Sequence, residues 1–299
     1  MGEIRFDGEV AVVTGAGGGL GRAHALEFAA RGAAVVVNDV GGRLDGGGGD
    51  PSHAAAVVRE IESAGGRALA NGDDISTPEG ARRLVDAALA AYGRLDVLVN
   101  NAGILRDRTL HKMAPEDFEA VVRVHLLGSA WCSRAAWPAM QAQGQGRIIM
   151  TTSAAGLYGN FGQSNYAAAK LGVVGLMQAL KLEGERHGIR VNAVAPVALT
   201  RMTEGSGFGG LLEQARPEQV SAAVLYLAWR ECRLSGTVLA AGAGHYATVR
   251  IVEGPGLTAR PGEIGPEFLA DHWDRISGAE GARAYGSVGE ALQAVFGAA

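Results

Sequence analysis

The sequence predicts an α/β fold, a doubly wound parallel sheet of about seven strands with helices on both faces. Two features carry that expectation. Short apolar runs such as Val10 to Val13, Ala34 to Val37 and Leu95 to Val99 alternate with longer helical segments, and strands that are apolar almost throughout are buried on both sides. The first run stops at a glycine-rich turn that leads straight into a helix, which is how a βαβ unit opens.

At 299 residues the chain is long enough for one large α/β domain with a substantial core, or for two small ones. It is read as a single domain with a C-terminal extension from about residue 245 that wraps the surface, because Pro255, Pro261, Pro266, Gly278, Gly281 and Gly286 interrupt that stretch. A net charge of -4 with scattered positive residues and a pI near 6.0 give no electrostatic footprint for nucleic acid. Cys132 and Cys232 stand alone, with no metal spacing and no paired framework, which fits a reducing compartment. The N-terminus enters a strand without a signal-type apolar region, no run approaches membrane-spanning length, and Gly297-Ala298-Ala299 is not an address of the Ser-Lys-Leu kind. The expectation is a cytoplasmic protein without a membrane partner.

Strand one is Val10 to Val13, and the turn after it runs from Thr14 to Gly21. Gly15, Gly19 and Gly21 have the spacing G-x-x-x-G-x-G, neither G-x-G-x-x-G nor a P-loop. Glycines there let the backbone approach a pyrophosphate and aim helix N-terminal amides at it, starting at Leu20. The alternative is a plain flexible turn. Strand two, Ala34 to Asn38, ends at Asp39, about twenty residues past the glycines, where a carboxylate accepts hydrogen bonds from a ribose diol and repels a 2′-phosphate. This favours NAD over NADP. Gly41 to Pro51 is read as a mobile surface loop, with Ser52 capping the next helix to about Ala64. Strand three, Ala68 to Ala70, leads to Asp73-Asp74-Ile75, where a carboxylate reaches an adenine amine or is simply solvated.

Strand four ends in Asn100-Asn101-Ala102-Gly103, a helix runs from about Pro115 to Ala130, and strand five, Arg147 to Thr151, delivers Ser153. Ala167 to Glu185 is helical, Arg190 to Val194 is strand six, and Pro196 follows. Val197 to Arg216 is read as a lid or substrate loop, Glu218 to Trp229 as a helix and Thr237 to Ala240 as a seventh strand. Ligands in such sheets sit at the strand C-termini, and the candidates all fall there. Tyr166 and Lys170, four apart, share a helix face. An ammonium beside a phenol favours the phenolate, bringing a group of pKa near 10 toward the range of a useful base. Alone, such a pair is equally a packed or solvated one.

Thr14 to Gly21, Asn100 to Gly103, and Ser153 with Tyr166-Ala167-Ala168-Ala169-Lys170 together resemble the short-chain dehydrogenase/reductase family, whose fold is of the Rossmann type. Asn38 to Gly42, Asn101 to Arg108, Gly156 to Gln163 and Thr200 to Thr203 look like its subgroup of (3R)-hydroxyacyl-CoA dehydrogenase domains. The resemblance implies Tyr166 as general acid/base, Lys170 as the group that lowers its pKa and holds the nicotinamide ribose, and Ser153 as the group that orients the substrate oxygen. It implies Gly15, Gly19 and Gly21 at the pyrophosphate, Asp39 at the ribose, Asp74 with Ile75 at the adenine, and Asn101, Ala102 and Gly103 beside the cofactor, with Pro196 and Thr200 on its far side. Many members carry Asn where this chain has His125; its backbone carbonyl then serves a proton relay, or the residue is a packed core histidine, the reading preferred for its side chain. Val197 stands where many have Gly. The function implied is hydride transfer between NAD and a secondary alcohol, most directly a (3R)-hydroxyacyl-CoA, with a hydroxysteroid or other bulky alcohol as alternative and a non-catalytic NAD-binding scaffold as the rival outside enzymes. Arg106, Arg108, Lys112 and Arg201 are candidate contacts for CoA phosphates, and a homodimer or homotetramer is expected.

Overall fold

A computed structural model describes residues 2–198 and 214–297, so Thr200 and Arg201 lie outside the described residues, as does most of the proposed lid. The chain divides into two compact units, Met1–Thr248 and Val249–Ala299. The first opens with β1 (Val10–Thr14), α1 (Gly19–Ala30), β2 (Ala34–Asn38), α2 (Ser52–Ser63), β3 (Arg67–Asn71), α3 (Pro78–Tyr92) and β4 (Val97–Asn100). It continues with α4 (Pro115–Val122), a π-helical turn (Arg123–Leu127), α5 (Gly128–Gln143), β5 (Gly146–Thr151), α6 (Ala154–Tyr158), α7 (Ser164–Gly184) and β6 (Ile189–Pro196). After the undescribed stretch come α8 (Pro217–Ala228), β7 (Val238–Gly242) and β8 (His245–Val249).

The described strands form one sheet in the order β3-β2-β1-β4-β5-β6-β7-β8. β1 to β7 pair in parallel. Every residue of β1, β2 and β4 is buried, as continuous Val-rich runs in a doubly covered sheet require. The eighth strand was not expected from the sequence. Ala243 and Gly244 both adopt positive φ, 49° and 75°, the conformation that closes a two-residue hairpin and turns the chain back antiparallel. His245 to Val249 is partly exposed and lacks a clean apolar run, which is why its pattern is silent.

Helix boundaries follow local chemistry. Thr77 caps α3 by accepting the Gly80 amide at 3.0 Å, Pro78 sits at the first helical position, and Gly93 ends the helix at φ 74°. For α2 the expected Ser52 cap is corrected: Ser52 is already helical, and the Asp50 carboxylate accepts its amide at 2.9 Å. The helix expected from Pro115 to Ala130 is divided by the π turn. α1 packs against α2 and α8, α3 against α5, and α4 against α7. Phe28 of α1 meets Phe6 edge to face at 4.9 Å in the apolar core. The second unit carries α9 (Pro266–Ile276), α10 (Val288–Gly297) and a backbone bridge in which Glu253 and Arg283 exchange hydrogen bonds of 2.8 and 2.9 Å.

Because the strands are parallel and in register (Thr14 beside Asn38, Asn38 beside Asn71, Asn100 beside Met150, Thr151 beside Val194), their C-terminal ends share one edge. The Thr14 hydroxyl joins two of those ends. It donates to the Val99 carbonyl at 3.3 Å and accepts the amides of Asn101 at 3.0 Å and Ala102 at 3.1 Å. Thr14→Val keeps the shape and strands both amides, so a loss of about 2–4 kcal/mol is expected, read as a fall of about 5–10 °C in Tm. An unchanged melting curve would mean that water satisfies the amides instead.

Candidate active site

The site's floor is the turn after β1, clamped to the loop after β4. Asn101 Nδ2 donates to the carbonyls of Thr14 at 2.9 Å and Gly15 at 3.1 Å. Gly15 has φ 65°, and a Cβ there would stand 2.7 Å from Ala102 Cα, so only glycine lets the two segments touch. Asn101 is therefore a brace for the turn. Gly21 lies buried in the first turn of α1 and lies outside the cavity wall.

Above this floor is a cavity of about 610 Å³ whose wall includes Gly15, Gly19, Leu20, Asp39, Asp74, Ile75, Asn101, Ala102 and Gly103. These are nine of the residues assigned to a dinucleotide at the sequence level, brought together from four strand ends. Asp39 is held by two backbone amides: Gly17 donates to Oδ2 at 2.8 Å and Gly41 to Oδ1 at 2.6 Å. Asn38 fixes the neighbouring strand end by donating to Asn71 Oδ1 at 2.8 Å and the Asp73 carbonyl at 2.9 Å. The two adjacent aspartates separate in role. Asp73 is paired to Arg83 at 2.6 Å, whereas Asp74 faces the cavity and accepts the Ser76 amide at 2.9 Å.

The glycine-rich loop is the main correction to the sequence reading. Arg43, Leu44, Gly46, Gly48 and Gly49 line the cavity, so the loop is a wall and not a loose surface excursion. Its ends meet where Asp50 donates to the Gly41 carbonyl at 3.2 Å, and its middle is tied across the cavity by the Leu105 amide on the Leu44 carbonyl at 2.8 Å. Composition alone shows the absence of helix or strand, and misses these backbone ties.

Ser153, Tyr166 and Lys170 stand on α6 and α7 and are not part of that cavity wall. The link between them and the cavity is His125. Its ring meets Tyr166 edge to face at 5.0 Å. Nε2 lies 3.0 Å from the amide nitrogen and 2.8 Å from the carbonyl oxygen of Ile104, a cavity residue, accepting from the one or donating to the other according to tautomer. The ring presses against Gly103, where no side chain stands in its way. Nδ1 is buried without a partner among the described residues. Burial, with Lys170 nearby, holds the imidazole well below the usual histidine pKa and therefore neutral. His125 is thus a buried histidine, as read, but one packed on Tyr166, while its carbonyl accepts the Ser129 hydroxyl at 2.7 Å. Asn165, missed in the sequence, is fully buried beside Tyr166 and accepts its amide at 2.7 Å.

The electrostatics differ from the simple pairing of phenol and ammonium. Lys170 is 4% exposed, donates to the Thr151 carbonyl at 2.6 Å, and lies 5.6 Å from the centre of the Tyr166 ring. Burial lowers its pKa from 10.5 to about 7. Burial also raises the Tyr166 phenol, Ser153 pulls it down by hydrogen bonding, and Asp107 adds to the rise. Desolvation, and not Lys170, thus sets the direction of the Tyr166 shift, and the same burial draws the lysine toward its neutral form. Ser153 also accepts the Ala155 amide at 3.2 Å as the cap of α6.

Pro196 ends β6 away from the cavity wall. Arg106 is already engaged, donating to the Asp45 carbonyl at 2.8 Å and pairing with Asp117 at 3.0 Å. Arg108 and Lys112 are exposed. Among the described residues no group of three or more His, Cys, Asp or Glu is placed to hold a metal ion, and no helix is long and apolar enough to cross a membrane.

A cavity walled by the glycine turn and Asp39 at the end of a parallel sheet, linked through His125 to Ser153, Tyr166 and Lys170, is the arrangement of an oxidoreductase. The chain belongs to the short-chain dehydrogenase family, whose model matches residues 9–207. Peroxisomal multifunctional enzyme type 2 of Drosophila melanogaster is 45% identical over 293 residues, covering 97% of this chain and 48% of that protein. Its full-length structure superposes with a TM-score of 0.82 at 36% identity, over 98% of this chain and 50% of that one. The chain thus spans about half the length of that relative. A hydroxyacyl-CoA dehydrogenase of Mycobacterium tuberculosis is 40% identical over 291 residues, 90% of this chain and 86% of that one. A 7α-hydroxysteroid dehydrogenase solved with NADH and 7-oxoglycochenodeoxycholic acid matches with a TM-score of 0.71 at 30% identity, over 80% of this chain and 95% of that one.

The lysine provides a direct check. The chain's lysines are Lys112, Lys170 and Lys181, so side-chain NMR with a Lys170→Met control assigns the buried one, which is expected to titrate near pH 7 and not near 10.5. Its folded pKa lies below its unfolded one, so between these values the unfolded state binds the extra proton. This group's contribution to stability therefore rises with pH from about 7 to about 10.5 and is flat outside that window. A lysine titrating near 10.5 would show that the site is wet.

Proposed function

We propose that the chain is an NAD-dependent dehydrogenase acting on (3R)-hydroxyacyl-CoA thioesters. The observation that carries the reading is the junction described above: a cavity walled by Gly15, Gly19, Asp39 and Asn101 whose Ile104 is bonded to His125, which packs on Tyr166. The choice of NAD rests on Asp39, whose carboxylate is oriented into the wall by two amides and repels a 2′-phosphate. The residues present fit such a ligand, since Gly15 keeps the floor free of side chain and the start of α1 offers its amides.

Gly15, Gly19 and Asp39 would hold NAD, which would supply the hydride acceptor for oxidation of the alcohol. Tyr166 takes the hydroxyl proton, Ser153 holds the same oxygen by hydrogen bonding, and protonated Lys170 stabilises the phenolate. Bringing a phenol from about 10 to about 7 takes roughly 4 kcal/mol of differential stabilisation. Lys170, 5.6 Å from the centre of the Tyr166 ring, is the group placed to supply it when protonated. The acyl-CoA reading is supported by the name of the full-length mycobacterial relative. It is supported too by exposed apolar and cationic side chains on the segments flanking Tyr166: Phe161 (90% exposed), Tyr158 (74%) and Leu110 (66%), with Arg108 and Lys112. The steroid-bound neighbour favours a second reading, a bulky ring alcohol as substrate.

Tyr166→Phe is expected to lower kcat by at least about a hundredfold while NAD binding stays nearly intact; near-normal turnover would remove Tyr166 from the chemistry. The wild-type chain, followed by NADH absorbance on a panel of hydroxyacyl-CoAs, free hydroxy acids and hydroxysteroids, should turn over the CoA esters far faster than the rest. Faster steroid turnover selects the second reading, and NAD binding without turnover selects a scaffold. Asp39→Ala should narrow the preference for NAD over NADP, and a wild-type preference for NADP would overturn that residue's role.

A further inference from the structure

The segment Ile104 to Arg108 is gripped from both sides, and the two grips belong to different halves of the site. On the cavity side, Leu105 donates to the Leu44 carbonyl at 2.8 Å and Arg106 Nε to the Asp45 carbonyl at 2.8 Å. On the catalytic side, Asn165 Nδ2 donates to the Arg106 carbonyl at 3.0 Å while its Oδ1 accepts the Tyr166 amide at 2.7 Å. Gln163 donates to Asp107 at 2.7 Å, and Arg108 donates to the Gly162 carbonyl at 2.8 Å. Arg106 Nη1 is anchored on Asp117 of α4 at 3.0 Å. One residue thus holds the cavity loop by its side chain and the start of the tyrosine helix by its carbonyl.

We propose that Arg106 is a positioning residue that couples seating of the 41–50 loop over the dinucleotide to placement of Tyr166. This rests on the dinucleotide reading of the cavity. The guanidinium suits the task because its planar fork bonds a carbonyl and a carboxylate at once, which an ammonium does less well. Asn165 suits it because a fully buried amide must satisfy both ends, so a shift of the Arg106 carbonyl moves Asn165 and with it the first turn of α7. Two of the five guanidinium N–H groups of Arg106 are committed to the Asp45 carbonyl and the Asp117 carboxylate.

The test is amide hydrogen exchange on the full chain with and without NAD, beside steady-state kinetics, for wild type, Arg106→Gln, Arg106→Lys and Asp117→Asn. In wild type, NAD is expected to protect the 41–50 loop and residues 165 to 167 together. Arg106→Gln should keep protection around Gly15 to Gly21 but lose it in both other segments, with KM for NAD raised and kcat lowered by about tenfold to a hundredfold; Arg106→Lys should fall between. Should Arg106→Gln fail to fold, Asp117→Asn, which keeps Arg106 itself, is expected to weaken protection in both segments by a smaller amount. Loss confined to the loop with kcat intact would overturn the coupling, as would a lower Tm with unaltered kinetics and protection. No NAD binding by wild type sinks the dinucleotide reading and the proposal with it, whereas binding with the two segments responding independently sinks the proposal alone.

Discussion

The hydroxyl of Thr14 is the bond on which the site depends. Without it the turn after β1 and the loop after β4 are two neighbouring excursions; with it, and with the Asn101 side chain bonded back to Thr14 and Gly15, they are one floor. Everything placed above inherits its position from that joint. Gly103 and Ile104 follow directly from the bonded residues, His125 is set by Ile104, and Tyr166 packs on His125. The cost of such a chain is that a small displacement at its root is carried to the reacting atoms.

Burial sets the chemistry as strongly as proximity does. A phenol and an ammonium placed in a dry site are each driven toward neutrality, the first by raising its pKa and the second by lowering it. Ser153 opposes that drift at the phenol by hydrogen bonding, and it does so while also capping α6.

The fold was legible because its signal is redundant. Every central strand is a short apolar run, and the glycine turn, Asp39 and Asn101 independently mark the same sheet edge. Spacing placed Tyr166 and Lys170 on one helix, α7, while the roles given to them and to Ser153 come from the family resemblance. Three kinds of feature were not legible. The 41–50 loop owes its place to backbone carbonyls on Leu44 and Asp45, which carry no residue signature. β8 is made by a turn at Ala243-Gly244, where an alanine takes a left-handed conformation that its type disfavours. Arg106 and Asn165 act by joining segments about sixty positions apart, and only the folded chain makes them neighbours. The sign of the Tyr166 shift was missed because residue spacing reports attraction and is blind to desolvation.

The π-helical turn at Arg123–Leu127 works as a phase shifter. A turn that closes with one residue too many rotates all that follows by about 100° relative to a regular helix. Val121 is buried before it, His125 within it, and Ser129, Cys132, Ser133, Ala136 and Met140 after it. At the end of α5, Gln143 closes on both backbone groups of Leu95, at 3.1 and 2.9 Å, just before the strand leading to Asn101. Removing one residue from the turn would therefore not trim a loop. It would turn α5 by about 100° and swing its buried stripe onto a flank, so this short irregularity sets the reading frame in which the middle of the molecule packs.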